Sequence, residues 1–211
     1  QVNHLHPNNN LHLKEFTLYH FDDIPQEAIE HSKALRAAAV LDAIGEVPEE
    51  VQRIFFTLTG SMIHDISVLR GMFGTPARVV SMDQWREGKS VTMVLAYEGD
   101  KRCVATWTDL PELWDFRETL EVFGGSQRVS IRFPTGFARD EPSPVTIQGM
   151  DGSKPWTKEV IVNNQNSFKL ELIHFHDCII NGKTPLTDGY AARQDHALCR
   201  DIIQTYMQAN E

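Results

Sequence analysis

No apolar run in these 211 residues approaches the roughly 20 that a membrane-spanning helix needs, so no such span is expected. Basic residues are also scarce. Twenty Lys and Arg against 29 Asp and Glu leave a net charge of −9, and no basic stripe offsets it locally. Nucleic acid and anionic membrane surfaces both need basic partners, so neither is expected. There are only three cysteines, Cys103, Cys178 and Cys199, widely spaced and without a C-x-x-C pair. Buried reduced thiols in a cytoplasmic protein are the expectation. The start, Gln1-Val2-Asn3-His4, has neither the charged region nor the apolar region of a secretory signal. It also lacks Met, which suggests a processed or truncated chain. No G-x-G-x-x-G follows a strand pattern, and no Glu-Lys-Pro occurs.

What is present suffices for a sizeable core: 41% hydrophobic and 23% charged residues in one chain of ordinary domain length. Residues 1–10 are polar and Asn-rich and read as an exposed, flexible lead-in. Residues 11–20 alternate loosely and could form a strand. Pro25 suits a first helical turn, and the pattern it opens runs to about Ala43 and stops at Gly45. Pro48-Glu49-Glu50 opens a second helix, predicted to run unbroken to Phe73, roughly 38 Å, before Gly74.

The middle of the chain is rich in Val, Thr and aromatics. Segments 78–85, 90–97 and 102–108 are separated by Gly-containing turns and predict an antiparallel meander. Segments 119–123 and 127–133 flank Gly124-Gly125, and 145–150 and 159–162 predict two more strands. Two helices close the chain, at about 167–181 and 188–207, with Thr187 as the expected N-cap of the second. Helices, then strands, then helices predict an α+β fold: a large, mostly antiparallel open sheet with helices on one face. A single domain spanning 1–211 is the simplest organisation. Trp85, Tyr97 and Trp107 are expected to serve sheet packing or an interface.

One helix draws attention. Leu58, Met62, Ile66, Leu69 and Phe73 all lie within about 60° of Phe55 around its axis, an apolar stripe. His64 lies about 180° away, among Thr57, Gly60, Ser61, Val68 and Gly71, where little bulk surrounds the ring. The remaining histidines point to no metal site. His4, His6 and His12 fall in the polar lead-in, and His174 and His176 project about 160° apart on one helix.

Three stretches resemble the C-terminal domain of the Gfo/Idh/MocA family, the glucose-fructose oxidoreductase and inositol dehydrogenase group. They are Gly60–Gly74 with His64-Asp65-Ile66, Leu69-Arg70 and Phe73-Gly74; the strand-to-glycine passage Thr119–Gly124; and Phe168–Phe175 with Asp177-Cys178-Ile179, Asn181-Gly182-Lys183 and Pro185. The resemblance covers most of residues 55–208. It implies that a nucleotide-binding Rossmann domain, with its cofactor motif and catalytic lysine, is missing from this sequence. NAD or NADP would be held by that domain and not by this chain. The chain itself would supply a substrate wall and oligomer contacts through the open sheet face.

Within that resemblance His64 matches the family's catalytic histidine, which takes up the substrate hydroxyl proton. The aspartate expected four residues earlier is Gly60, and the one three residues later is Ser67. Ser61 and Asp65 are candidate substrate-binding residues beside it, although Asp65 lies about 100° around the helix from His64. The implied function is the substrate-binding and oligomerisation domain of an NAD(P)-dependent oxidoreductase acting on a sugar, polyol or related hydroxyl compound. This fragment alone is expected to be inactive. The alternatives are a non-catalytic binding or assembly module, which the glycine at position 60 favours, and a metal-dependent hydrolase or isomerase.

Overall fold

The computed structural model describes residues 1–7, 19, 21–113, 116–135, 141–162 and 166–210. The elements run β1 (Val2–Pro7), α1 (Gln26–Ile44), α2 (Glu49–Gly60), α3 (Ile63–Phe73), β2 (Arg78–Trp85), β3 (Ser90–Ala96), β4 (Arg102–Leu110), β5 (Arg117–Phe123), β6 (Gln127–Phe133), β7 (Val145–Asp151), β8 (Lys154–Val160), α4 (Ser167–Asn181) and α5 (Gly189–Ala209). The eight strands make one sheet in the order β2-β3-β4-β1-β5-β6-β7-β8. The β1–β4 pairing is parallel and the others are antiparallel. The chain therefore adopts the expected α+β class.

Strand alternation decides which face is covered. In β4, Cys103, Ala105 and Trp107 are buried, whereas Val104 between them is exposed. The buried side joins one core with Ile54 and Leu58 of α2, Ile66 and Leu69 of α3, and Ile202 and Ile203 of α5. Each fully buried Leu or Ile in it stabilises the fold by about 1.5–3 kcal/mol. The stripe Phe55, Leu58, Met62, Ile66 and Leu69 is buried as the periodicity requires. Cys103, Cys178 and Cys199 are free and buried, as expected.

The lead-in expectation fails for Val2–Pro7, which form a central strand rather than an exposed tail. Val2, His4 and His6 alternate with Asn3 and Leu5, and the inward set is polar after Val2. Hydropathy therefore hides the period of two. The backbone is satisfied on both sides, by β4 and by β5, and the Gln1 ammonium donates to the Glu121 carbonyl at 2.7 Å. Residues 8–18 and 20, including most of the strand expected at 11–20, lie outside the described residues.

The single long helix is in fact two. α2 ends at Gly60, Ser61 leaves helical geometry at φ −120°, and α3 begins at Ile63. Two β-branched threonines, then Gly60 and Ser61, give the weakest helix propensity in the segment, and the chain breaks there. Asp188, not Thr187, caps α5: its carboxylate accepts from the Ala191 N–H at 2.8 Å. The last strand starts at Lys154 rather than at 159. Gly88 turns the β2–β3 hairpin at φ +77°, where a Cβ would stand 2.3 Å from the Glu50 carbonyl oxygen. The hairpin thus packs directly on the start of α2.

The α4 stripe expected from the sequence exists but faces outward. Phe168, Leu172, Phe175 and Ile179 are all more than half exposed. Asn166 caps this helix by accepting from the Phe168 and Lys169 N–H groups, and Gly182 closes it in the left-handed conformation.

Candidate functional site

The helix break fixes the position of each candidate residue. Ser61 sits in the break, and its hydroxyl accepts a hydrogen bond from Trp107 Nε1 at 2.9 Å. His64 is the second residue of α3 and is exposed. Asp65, one position on, turns inward and is 3% exposed. The 100° step per residue separates the two as the sequence required. His64 is therefore exposed, and the Asp65 carboxylate is turned away from it. The structure brings Ser61 and Asp65 to the sheet, not to His64.

Beneath α3 lies a polar row that the sequence did not reveal. Trp107 of β4, His4 of β1 and Glu118 of β5 are register partners on adjacent strands, on one face of the sheet. His4 Nδ1 lies 3.1 Å from Asp65 Oδ2, in a buried pair. Phe116 meets the His4 ring edge-on at 5.4 Å between centroids, and His6 stacks on Trp107 at 5.4 Å. Burial and the neighbouring Asp65 charge, with its hydrogen bond, push the Glu118 carboxyl up from 4.5 to about 7, against a smaller opposing pull from His4. The signal available in the sequence was the i, i+2 spacing of His4 and His6. It carried no weight because the segment read as a polar tail.

A second polar contact anchors the far end of α3. Arg70 pairs with buried Asp195 of α5, donates to the Gln194 side chain, and reaches the Ala191 carbonyl at 3.0 Å. Arg70 is thus an ion-pair residue tying α3 to α5. The cysteines offer no nucleophile here. Burial raises the Cys103 thiol and takes Cys199 to about 12, which keeps both protonated near neutrality.

Gly124-Gly125 lies in the β5–β6 hairpin and not before a helix, and no strand–glycine-loop–helix unit occurs among the described residues. No described helix is long and apolar enough to cross a membrane.

No protein-family model and no curated protein matches the chain. Solved structures do. A protein assigned as an NADPH-dependent oxidoreductase, from Desulfitobacterium hafniense, aligns over 99% of this chain and 54% of its own, with a TM-score of 0.63 and 14% identity. UDP-N-acetylglucosamine 3-dehydrogenase GnnA from Acidithiobacillus ferrooxidans aligns over 70% of this chain and 46% of its own, at TM-score 0.53 and 14% identity. KijD10, a 3-ketoreductase from Actinomadura kijaniata solved with NADP, gives 68%, 44%, 0.52 and 13%. The fold is therefore that of a domain found in these oxidoreductases, as the family resemblance implied. The chain spans about half the length of the structures it matches.

Proposed function

We propose that this chain is the substrate-facing and assembly domain of an NAD(P)-dependent oxidoreductase that interconverts a carbinol and a carbonyl on a sugar, polyol or related compound. The observation that carries the proposal is the match over 99% of the chain to half of an assigned NADPH-dependent oxidoreductase. Two further neighbours are named as a dehydrogenase of a sugar nucleotide and as a 3-ketoreductase, which supports a sugar-like substrate. The cofactor belongs to a separate nucleotide-binding domain in this proposal, since the described residues offer it no phosphate cradle. The outward apolar stripe of α4 gives such a domain a surface to cover. The outer sheet face is the proposed contact between copies.

This chain's part in the reaction is proton handling and positioning. His64 stands exposed in the first turn of α3, so a hydroxyl group can approach its ring. As a neutral imidazole it accepts the hydroxyl proton when the carbinol carbon is oxidised, and returns it in the reverse direction. Ser61 and Asp65 hold the helix to the sheet through Trp107 and His4, so they orient the His64-bearing turn; direct substrate contact is not needed for that role.

A second reading is a non-catalytic binding or assembly module. It is favoured by Gly60 in place of a carboxylate and by the engagement of Asp65 with His4, which together leave His64 without an acidic partner among the described residues. The gene product carrying this chain, assayed for NAD(P)H formed or consumed with a panel of sugars, polyols and their keto forms, separates the two. Turnover is expected, and its absence across the panel with both dinucleotides would favour the module.

A further inference from the structure

We propose that His4, Asp65 and Glu118 form a binding site for a divalent transition-metal cation of the zinc class, enclosed between β1, β5 and the first turn of α3. One donor atom from each residue lies within 4.8 Å of the other two. The closest pair, His4 Nδ1 and Asp65 Oδ2, is 3.1 Å apart. Ligand atoms held about 2.0–2.1 Å from a tetrahedral cation stand roughly 3.3 Å from each other. That pair already has the spacing, and the flexible Glu118 side chain has only a short adjustment to make.

The donors come from three segments distant in sequence but rigidly placed. His4 and Glu118 are opposite each other on paired strands, and Asp65 descends from the helix above. His4 and Asp65 are 4% and 3% exposed. Among the described residues neither Asp65 nor Glu118 pairs with a Lys or Arg. The two carboxylates hydrogen-bond each other and crowd one imidazole, a donor set that a cation can bind once the shared proton is displaced. A divalent cation makes the set neutral.

A further observation concerns the other side of the His4 ring: Nε2 is buried and has no hydrogen-bond partner among the described residues. If Nδ1 carries the ring proton, the Nε2 lone pair is bare. If Nε2 carries it, a buried N–H lacks an acceptor and the Nδ1 lone pair faces a carboxylate oxygen. Without a further group, either tautomer leaves a polar demand unmet. A cation among the three donors makes ligands of the opposed lone pairs of the second tautomer, while the Nε2–H stays without an acceptor among the described residues.

The donor set selects the metal. One imidazole nitrogen and two carboxylate oxygens suit Zn²⁺, Mn²⁺ or Fe²⁺. Ca²⁺ seeks six to eight oxygens, and Mg²⁺ keeps several waters. Three protein ligands leave a fourth position for water. The Trp107 and Phe116 rings beside His4 limit solvent there and supply an optical probe. The inference does not depend on the oxidoreductase proposal, because it rests on residues that face away from His64.

The test uses the 211-residue chain, treated with a chelator and then dialysed against Zn²⁺, with metal analysis. One equivalent is expected at 10 µM free Zn²⁺, and a thermal midpoint raised by about 5–10 °C at a hundredfold excess over Kd. Co²⁺ should give visible ligand-field absorption and quench part of the tryptophan emission, to which Trp107 contributes. Glu118→Gln, checked for unchanged circular dichroism, should weaken binding at least tenfold, and His4→Gln likewise. Less than 0.1 equivalent bound would overturn the site. So would wild-type affinity in Glu118→Gln, which would place the metal on surface histidines. If His4→Gln does not fold, Glu118→Gln decides alone.

Discussion

Replacing Glu118 by Gln should change how stability depends on pH, and the size follows from the strand environment. The folded carboxyl is held at about 7, against 4.5 for the ordinary side chain, first by burial and then by the charge of Asp65. Between these values the folded state keeps a proton that the unfolded chain has released. Unfolding therefore releases a proton in that window, and stability falls as pH rises. Below about pH 4.5 both states hold the proton and nothing is lost. Above about pH 7 both have released it and the loss is complete. A rise from 4.5 to about 7, at roughly 1.4 kcal/mol per tenfold change in proton affinity, makes that loss about 3 kcal/mol. Gln keeps the shape but cannot titrate, so the variant should gain about 3 kcal/mol relative to wild type between pH 4.5 and pH 7.5. Urea unfolding of both proteins at several pH values, with chelator present, measures the difference and cancels the other carboxylates. Parallel pH profiles for the two proteins would refute the raised Glu118.

Two further substitutions probe the frame around α3. Asp195→Ala leaves the largely buried Arg70 guanidinium without its carboxylate and should cost about 3 kcal/mol in urea unfolding; a loss under about 1 kcal/mol would show that the pair contributes little. Gly88→Ala places a methyl on the Glu50 carbonyl at a positive φ and should cost about 2 kcal/mol, lowering the melting midpoint by about 4–8 °C; an unchanged midpoint would refute the close approach.

Much of this fold was legible in the sequence because its strongest signals are local. The Val/Thr-rich segments, the Gly turns and the apolar period through Phe55 and Leu69 each specify an element without knowledge of the rest. What was hidden is non-local. β1 is central only because β4 and β5 close on it, and its inward histidines remove the hydropathy contrast that marks a half-buried strand. The row of Trp107, His4 and Glu118 follows from register, which no single segment encodes. The break at Ser61 was also missed, since an apolar stripe continues through it; only the weak propensity of Thr59, Gly60 and Ser61, and the Trp107 hydrogen bond that captures the break, divide the helix. His64 is a candidate that its position on the helix and the family resemblance single out; its role is the proposal made above. Its exposure accords with a role toward a ligand, and its lack of an acidic neighbour was visible in Gly60 from the start.

The central claim is that this chain supplies His64 to an oxidoreductase site completed by another domain. The most direct measurement is kcat/KM of the whole gene product for wild type and His64→Ala, with NAD(P)H as the readout and both proteins confirmed as folded. Loss of the positioned base should lower kcat/KM about 10²–10⁴-fold, with activity partly restored at higher pH as hydroxide replaces it. An unchanged kcat/KM in His64→Ala would contradict the claim.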